Sequence, residues 1–176
     1  VSNHKYTDIS EPSYGIAILN DCKYGLSVLD SNISLTLHKG GSMPDTRGDK
    51  GIHEFTYSFY PHIDTFCSEN TVREAYCLNN PVLSFADSHE LSGLIKIEKA
   101  NVIAETVKPC EENQKAYIVR IYESEGSFAK TDISFGGAVK VCETDMLELN
   151  EQEITDFKRV KYSFKPFEIK TFKVYY

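Results

Sequence analysis

Apolar and polar residues alternate with a period of two at several places along the chain. Ile33, Leu35 and Leu37 are separated by Ser34, Thr36 and His38. Phe55, Tyr57 and Phe59 are separated by Thr56, Ser58 and Tyr60, and Ile95 and Ile97 flank Lys96. Val160, Tyr162 and Phe164 flank Lys161 and Ser163. Each run suits a strand that buries one face and wets the other. The run Ala116–Tyr122 is apolar on both sides and predicts an interior strand. Thr131–Phe135 and Ala138–Val141 flank Gly136-Gly137, a pairing that predicts a tight hairpin. The closing segment Pro166–Tyr176 predicts a last strand with its Lys and Glu residues on a solvated face. Helical signal is thin. Thr71–Tyr76 is one candidate, capped by Asn70 or Thr71, and Leu147–Ile154 is the other. Gly40 to Gly51 forms a long polar loop, and Asn79-Asn80-Pro81 marks a break. About ten strands with at most one or two short helices predict an all-β fold, an antiparallel β-sandwich spanning 1–176 as a single domain.

Composition supports that expectation. Val, Ile, Thr, Phe and Tyr outnumber Leu and Ala by about three to one, which favours strands over helices. The 176 residues carry a net charge of -7, a poor match to phosphate backbones, so no nucleic-acid partner is expected. No apolar run approaches the roughly 18 to 20 residues of a membrane helix, so no membrane partner is expected either. The five cysteines are odd in number and irregularly spaced, with no CxxC pair. They read as reduced thiols of a cytoplasmic protein, without a signal peptide.

Local signals for catalysis are weak. His4, His38, His53, His62 and His89 show neither HxH nor HExxH spacing. No GxGxxG, Walker loop or GxSxG is present. Cys22 stands beside Lys23, a slight hint of an activated thiol set against the ordinary role of a small buried thiol at a strand end. A carbohydrate-binding module would stack sugars on exposed aromatics, and with no Trp the tyrosines would have to serve.

Several longer strings occur in order. Asp8-Ile9-Ser10-Glu11 precedes Tyr14–Asn20 and Asp21-Cys22-Lys23-Tyr24-Gly25. His53-Glu54-Phe55-Thr56-Tyr57-Ser58-Phe59-Tyr60-Pro61-His62 follows, then Ala75–Asn79, Glu143–Glu148 and Pro166–Thr171. Together they resemble the carboxy-terminal portion of glycoside hydrolase family 38 α-mannosidases, in particular the cytosolic and bacterial branch. The resemblance implies a multidomain retaining exoglycosidase that removes terminal α-linked mannose. Its aspartate nucleophile and its zinc, or another divalent metal, would sit in an amino-terminal catalytic domain. The β region that this chain resembles is implied to include a galactose-mutarotase-like supersandwich. A chain that does not begin with Met fits a C-terminal fragment of such an enzyme.

The resemblance therefore implies no catalytic residue, no metal ligand and no cofactor in this fragment. It implies the amino-terminal catalytic domain as partner and a mannose-containing glycan as a possible ligand. The candidate contacts to the sugar pocket or domain interface are Asn20, Asp21, Cys22, Lys23, Tyr24 and Gly25. Asn20 and Asp21 could bond sugar hydroxyls, Lys23 could pair with an acid across the interface, and Gly25 would permit a sharp turn. The same string also reads as a hairpin turn whose side chains hold their own backbone. His53, Glu54 and His62 are second-rank candidates, better suited to domain packing than to sugar contact. A non-catalytic wall of the enzyme, an independent carbohydrate-binding module and an interdomain scaffold remain the three readings. The scaffold reading expects a sizeable exposed apolar patch.

Overall fold

The computed structural model describes residues 1–84, 86 and 93–176; His89 lies outside them. Among the described residues the chain is all-β and antiparallel apart from one short helical stretch. Where the sequence reads as one sandwich over 1–176, the structure clusters into two compact units, Val1–Phe85 and Ala86–Tyr176. Each has its own buried cluster, because each carries enough apolar strand surface to build one.

In the first unit, β1 (Tyr6–Ser10), β2 (Tyr14–Asn20) and β5 (Tyr57–Ile63) form a sheet with β2 in the middle. A separate hairpin joins β3 (Gly25–Leu29) to β4 (Asn32–Thr36). One wide helical turn, Ser68–Val72, runs into α1 (Arg73–Asn79). The helix lies where Thr71–Tyr76 predicts one, but no side chain caps it. Thr71 is fully buried, and its hydroxyl donates to Asp8 at 3.5 Å instead of capping. Alternation along β2 sends Gly15, Ala17 and Leu19 inward. Ala17, Leu19 and Ala75 form the core of this unit, with Tyr6, Tyr60 and Leu78 packed around them. In β5 the phase is the reverse of the one expected. Tyr57 and Phe59 are exposed, while Ser58, Tyr60 and His62 turn toward the covered side. The reason is that the covered side has already been chosen by the small and apolar residues of β2, and register with β2 decides the face of β5.

The second unit is a two-layer sandwich. One sheet orders β11 (Gln152–Glu153), β10 (Lys140–Thr144), β13 (Ile169–Tyr175), β8 (Ala116–Glu123) and β7 (Val102–Pro109). The other orders β12 (Val160–Phe164), β9 (Ala129–Phe135) and β6 (Ile95–Ile97). Val119, Ile121, Phe172 and Val174 of the first meet Ile133, Phe135 and Phe164 of the second. Phe172 touches both Phe135 and Tyr162, with ring centroids 5.5 and 5.0 Å away. β8 is the interior strand its composition predicts, flanked by β13 and β7.

Three expectations change here. Gly136-Gly137 does not close a hairpin: β9 and β10 lie in different sheets, so the glycines carry a crossover, with Gly137 at φ +69°. Leu147–Ile154 is not a helix, since Glu148 and Asn150 have positive φ and Asp145 gathers the amides of Leu147 and Leu149 into a turn. The last strand is not solvated on its polar side either. Thr171 and Lys173 are buried beneath neighbouring loops, and Lys173 pairs with Glu151 at 2.8 Å. The Glu151 carboxylate raises the pKa of this ammonium, outweighing the opposing effect of burial.

Glu123, at the end of β8, is fully buried and accepts five hydrogen bonds. The donors are the Asn101 amide, the Ser127 hydroxyl, and the backbone N–H groups of Glu125, Ser127 and Phe167. Burial pushes its carboxyl upward, but these donors, Phe167 first, hold it below the usual range. The carboxylate fastens three loops, those holding Asn101, Glu125–Ser127 and Phe167.

The core position of Phe172 sets an expectation for stability. Phe172→Ala should lower the unfolding free energy by roughly 3–5 kcal/mol in urea titrations. Phe128→Ala, at a 62% exposed site, should stay within about 0.5 kcal/mol of the parent.

Candidate functional site

The string Asn20–Gly25 begins as the last residue of β2 and ends as the first of β3. These strands belong to different sheets, so the segment is a connection between layers and not a hairpin. Asn20 is fully buried. Its N–H donates to the Lys5 carbonyl at 2.8 Å, and its carbonyl accepts the Asn79 amide at 3.1 Å, tying β2 to the end of α1. Its side-chain Oδ1 and Nδ2 have no protein partner. Asn3 Oδ1 and Asp21 Oδ1 are likewise buried and unpaired. Three acceptors and an amide donor of this kind match the needs of internal water.

The rest of the loop is held from within. Asp21 Oδ2 accepts the Thr56 N–H at 2.9 Å, and the Tyr24 hydroxyl donates to the Asp21 carbonyl at 3.2 Å. The Tyr24 ring meets His4 edge-on at 4.6 Å. The Lys23 ammonium sits over the Phe55 ring at 5.0 Å. Gly25 does not have a positive φ. It is needed for space instead, because a Cβ there would press on Thr36 Cβ at 3.1 Å across the β3–β4 pair.

Cys22 is exposed, not the buried thiol expected of a strand end, and its Sγ faces the Glu54 carbonyl at 3.9 Å. Its hydrogen bond to the Asp21 carboxylate raises the thiol pKa and lowers that of Asp21. A thiol held protonated is a poor nucleophile at neutral pH.

The second-rank residues separate. Glu54 is exposed. His53 is exposed, with Nε2 2.6 Å from the Asp49 carbonyl and its ring 4.8 Å from that of His38. His62 is buried, and Nε2 meets Asp8 Oδ2 at 2.7 Å. The imidazole crosses over β2 at Gly15, where a Cβ would overlap its ring. Gly15 thus clears a path by which a side chain of β5 reaches one of β1, with β2 between them. Thr71 adds its hydroxyl to Asp8 from the helical turn. Asp8, Gly15 and Thr71 lie outside the candidates drawn from sequence. The signal for them is a glycine in mid-strand and an acid in an otherwise half-buried strand, both of which ask for a close neighbour. Among the described residues, no three His, Cys, Asp or Glu side chains are grouped to hold a metal ion. No helix among them is long and apolar enough to cross a membrane.

Two family profiles match the chain: "Glycosyl hydrolases family 38 C-terminal domain" over residues 1–47, and "Glycosyl hydrolases family 38 C-terminal beta sandwich domain" over 101–172. Alpha-mannosidase G of Dictyostelium discoideum is 35% identical and aligns with 98% of this chain. Alpha-mannosidase 2C1 of Homo sapiens is 34% identical over 94% of it. The chain spans only 17% of the length of each of these relatives. A crystal structure of an alpha-mannosidase from Enterococcus faecalis V583 shares the fold, with a TM-score of 0.71 and 19% identity over 98% of this chain and 21% of that one. The β architecture with two matched segments defines a C-terminal region of a glycosyl hydrolase. The chain belongs to glycosyl hydrolase family 38.

Two measurements check this geometry. Gly15→Ala should cost about 1–3 kcal/mol by forcing the imidazole aside. Adding His62→Ala should then cost less than its effect in the parent, and strict additivity would show that the two do not touch. Asp21→Asn should speed alkylation of Cys22 at pH 7 and move its rate profile to lower pH, because the group that disfavours the thiolate has gone. An unchanged profile, read by peptide mass spectrometry with Cys77 as internal reference, would contradict the assigned hydrogen bond.

Proposed function

We propose that this chain is a non-catalytic β region of an α-mannosidase, a retaining exoglycosidase acting on terminal α-linked mannose. One observation carries this reading: relatives named alpha-mannosidases align with nearly all of the chain, while the chain spans less than a fifth of each. In this reading the nucleophile, the acid and a divalent metal such as zinc belong to the amino-terminal catalytic domain. The described residues of this chain do not fit a metal centre, and no step of hydrolysis is assigned to them. The chain packs against the catalytic domain and, through Asn20–Gly25, helps shape the sugar pocket. Lys23 and the exposed Tyr24 supply the chemistry for that contact from a loop that Asp21 and Asn20 pin to Thr56 and α1. His53 and Glu54 are exposed and suit the domain boundary, whereas His62 holds the unit's own interior. Five free cysteines suit a reducing compartment such as the cytoplasm.

The test is a pair of assays with an aryl α-mannoside in the presence of zinc. The full-length polypeptide should turn over and residues 1–176 alone should not. Turnover by the isolated chain, or none by the full polypeptide, would refute the reading. Calorimetric titration of residues 1–176 with mannose should give no heat of binding, and a saturable heat would favour an independent carbohydrate-binding module.

A further inference from the structure

The segment Lys158-Arg159-Val160-Lys161-Tyr162-Ser163-Phe164-Lys165 holds four cations and no acid, in a chain whose net charge is -7. It contains β12, and β12 ends its sheet. β9 pairs with one side of it, and no backbone group among the described residues bonds to the other. Val160 and Phe164 turn into the core, while Lys161 and Ser163 face outward. Lys130 on β9 and Lys96 on β6 continue the outward face. The acids beside them, Glu98 and Asp132, are both taken by Arg159, at 3.0 and 2.8 Å. Among the described residues no carboxylate pairs with Lys96, Lys130, Lys158 or Lys161. An open groove of about 600 Å³ runs between Lys99, Lys130 and Lys161.

We infer that the free edge of β12 docks an extended acidic segment of a separate protein, which adds to the sheet as a further strand. Strand addition draws affinity from unpaired backbone groups and specificity from alternate side chains. A strand seated there presents every second side chain on the face of Lys161, with Lys158 and Lys165 near its ends. Carboxylates at those positions meet ammonium groups that have no other anion. The positions between share the side of Val160 and Phe164, so they suit apolar residues. Lysines on an edge strand repel a second copy of the same edge and give a neutral strand no gain, so they select an acidic one. A nucleic acid is the poorer occupant. Screening confines the field of the patch to about 8 Å. A polyanion long enough to pass beyond it meets the acidic remainder of the chain.

Fluorescence anisotropy tests this with a labelled peptide of alternating Glu and Val, about eight residues long to cover one strand. The peptide should bind the full-length polypeptide and residues 1–176 saturably, and more weakly as salt rises. Lys158→Glu with Lys161→Glu, both at exposed sites, should weaken binding roughly tenfold or more. The same peptide N-methylated at every amide should not bind, since it keeps the charge and loses the ladder. No saturable binding, binding that survives the charge reversal, or equal binding of the methylated peptide would overturn the inference. So would binding by residues 1–176 and not by the full-length polypeptide, which places the edge beneath another part of the same chain. A single-stranded oligonucleotide of equal charge that binds as tightly would assign the face to nucleic acid and overturn it as well. None of these outcomes depends on mannosidase activity.

Discussion

A β-sheet alternates its side chains, and any apolar face it makes must be covered. The second unit meets that demand internally. Phe172 and Val174 on the five-stranded sheet are closed over by Ile133, Phe135 and Phe164 on the three-stranded one. At roughly 25 cal/mol per Å² of apolar area removed from water, such an interface outweighs any single polar contact in the unit. The first unit meets the demand on one face only, with Ser68–Asn79 over Ala17 and Leu19. The small residues at 15 and 17 let the helical stretch and an imidazole come close, and they fix which face of the neighbouring strands is inside.

Once the apolar layers are in place, polar and ionisable groups trapped beside them have to be answered. Glu123 is answered by five donors, Lys173 by Glu151, and His62 by Asp8. Net, each hydrogen bond to a charged group is worth about 1.5–3 kcal/mol, whereas a buried charge stripped of its partner costs several. These groups therefore specify geometry more than they add stability. Glu123 fastens Ser127 and Phe167 to β8. Asp8 joins a strand, a helical turn and a histidine that no local sequence rule connects.

Much of the architecture was legible in the chain. Alternation at 33–37, 95–97 and 160–164 marks β4, β6 and β12, and the two-sided apolar run at 116–122 marks β8. Partnership between strands was not, because turn chemistry reports the turn and not the destination. Gly136-Gly137 is a tight turn in either case, yet it leads to the other sheet. The alternation at Phe55–Phe59 shows a strand but not its inward face, which is settled by register against β2. Leu147–Ile154 has helical spacing that the positive φ of Glu148 and Asn150 defeats. The candidate residues 20–25, His53, Glu54 and His62 were drawn from ordered strings alone. Asp8 and Gly15 meet His62 from 54 and 47 residues away, and Thr71 meets Asp8 from 63 residues away, beyond the range of any periodicity.

The connection at 20–25 is fixed by its own surroundings. Its polar groups are mostly spent inward: Asp21 on Thr56, Tyr24 on the Asp21 carbonyl, Lys23 on a ring, and the Asn20 backbone on Lys5 and Asn79. A loop held at so many points loses little entropy when a neighbour docks on it, and it holds what it presents in one geometry.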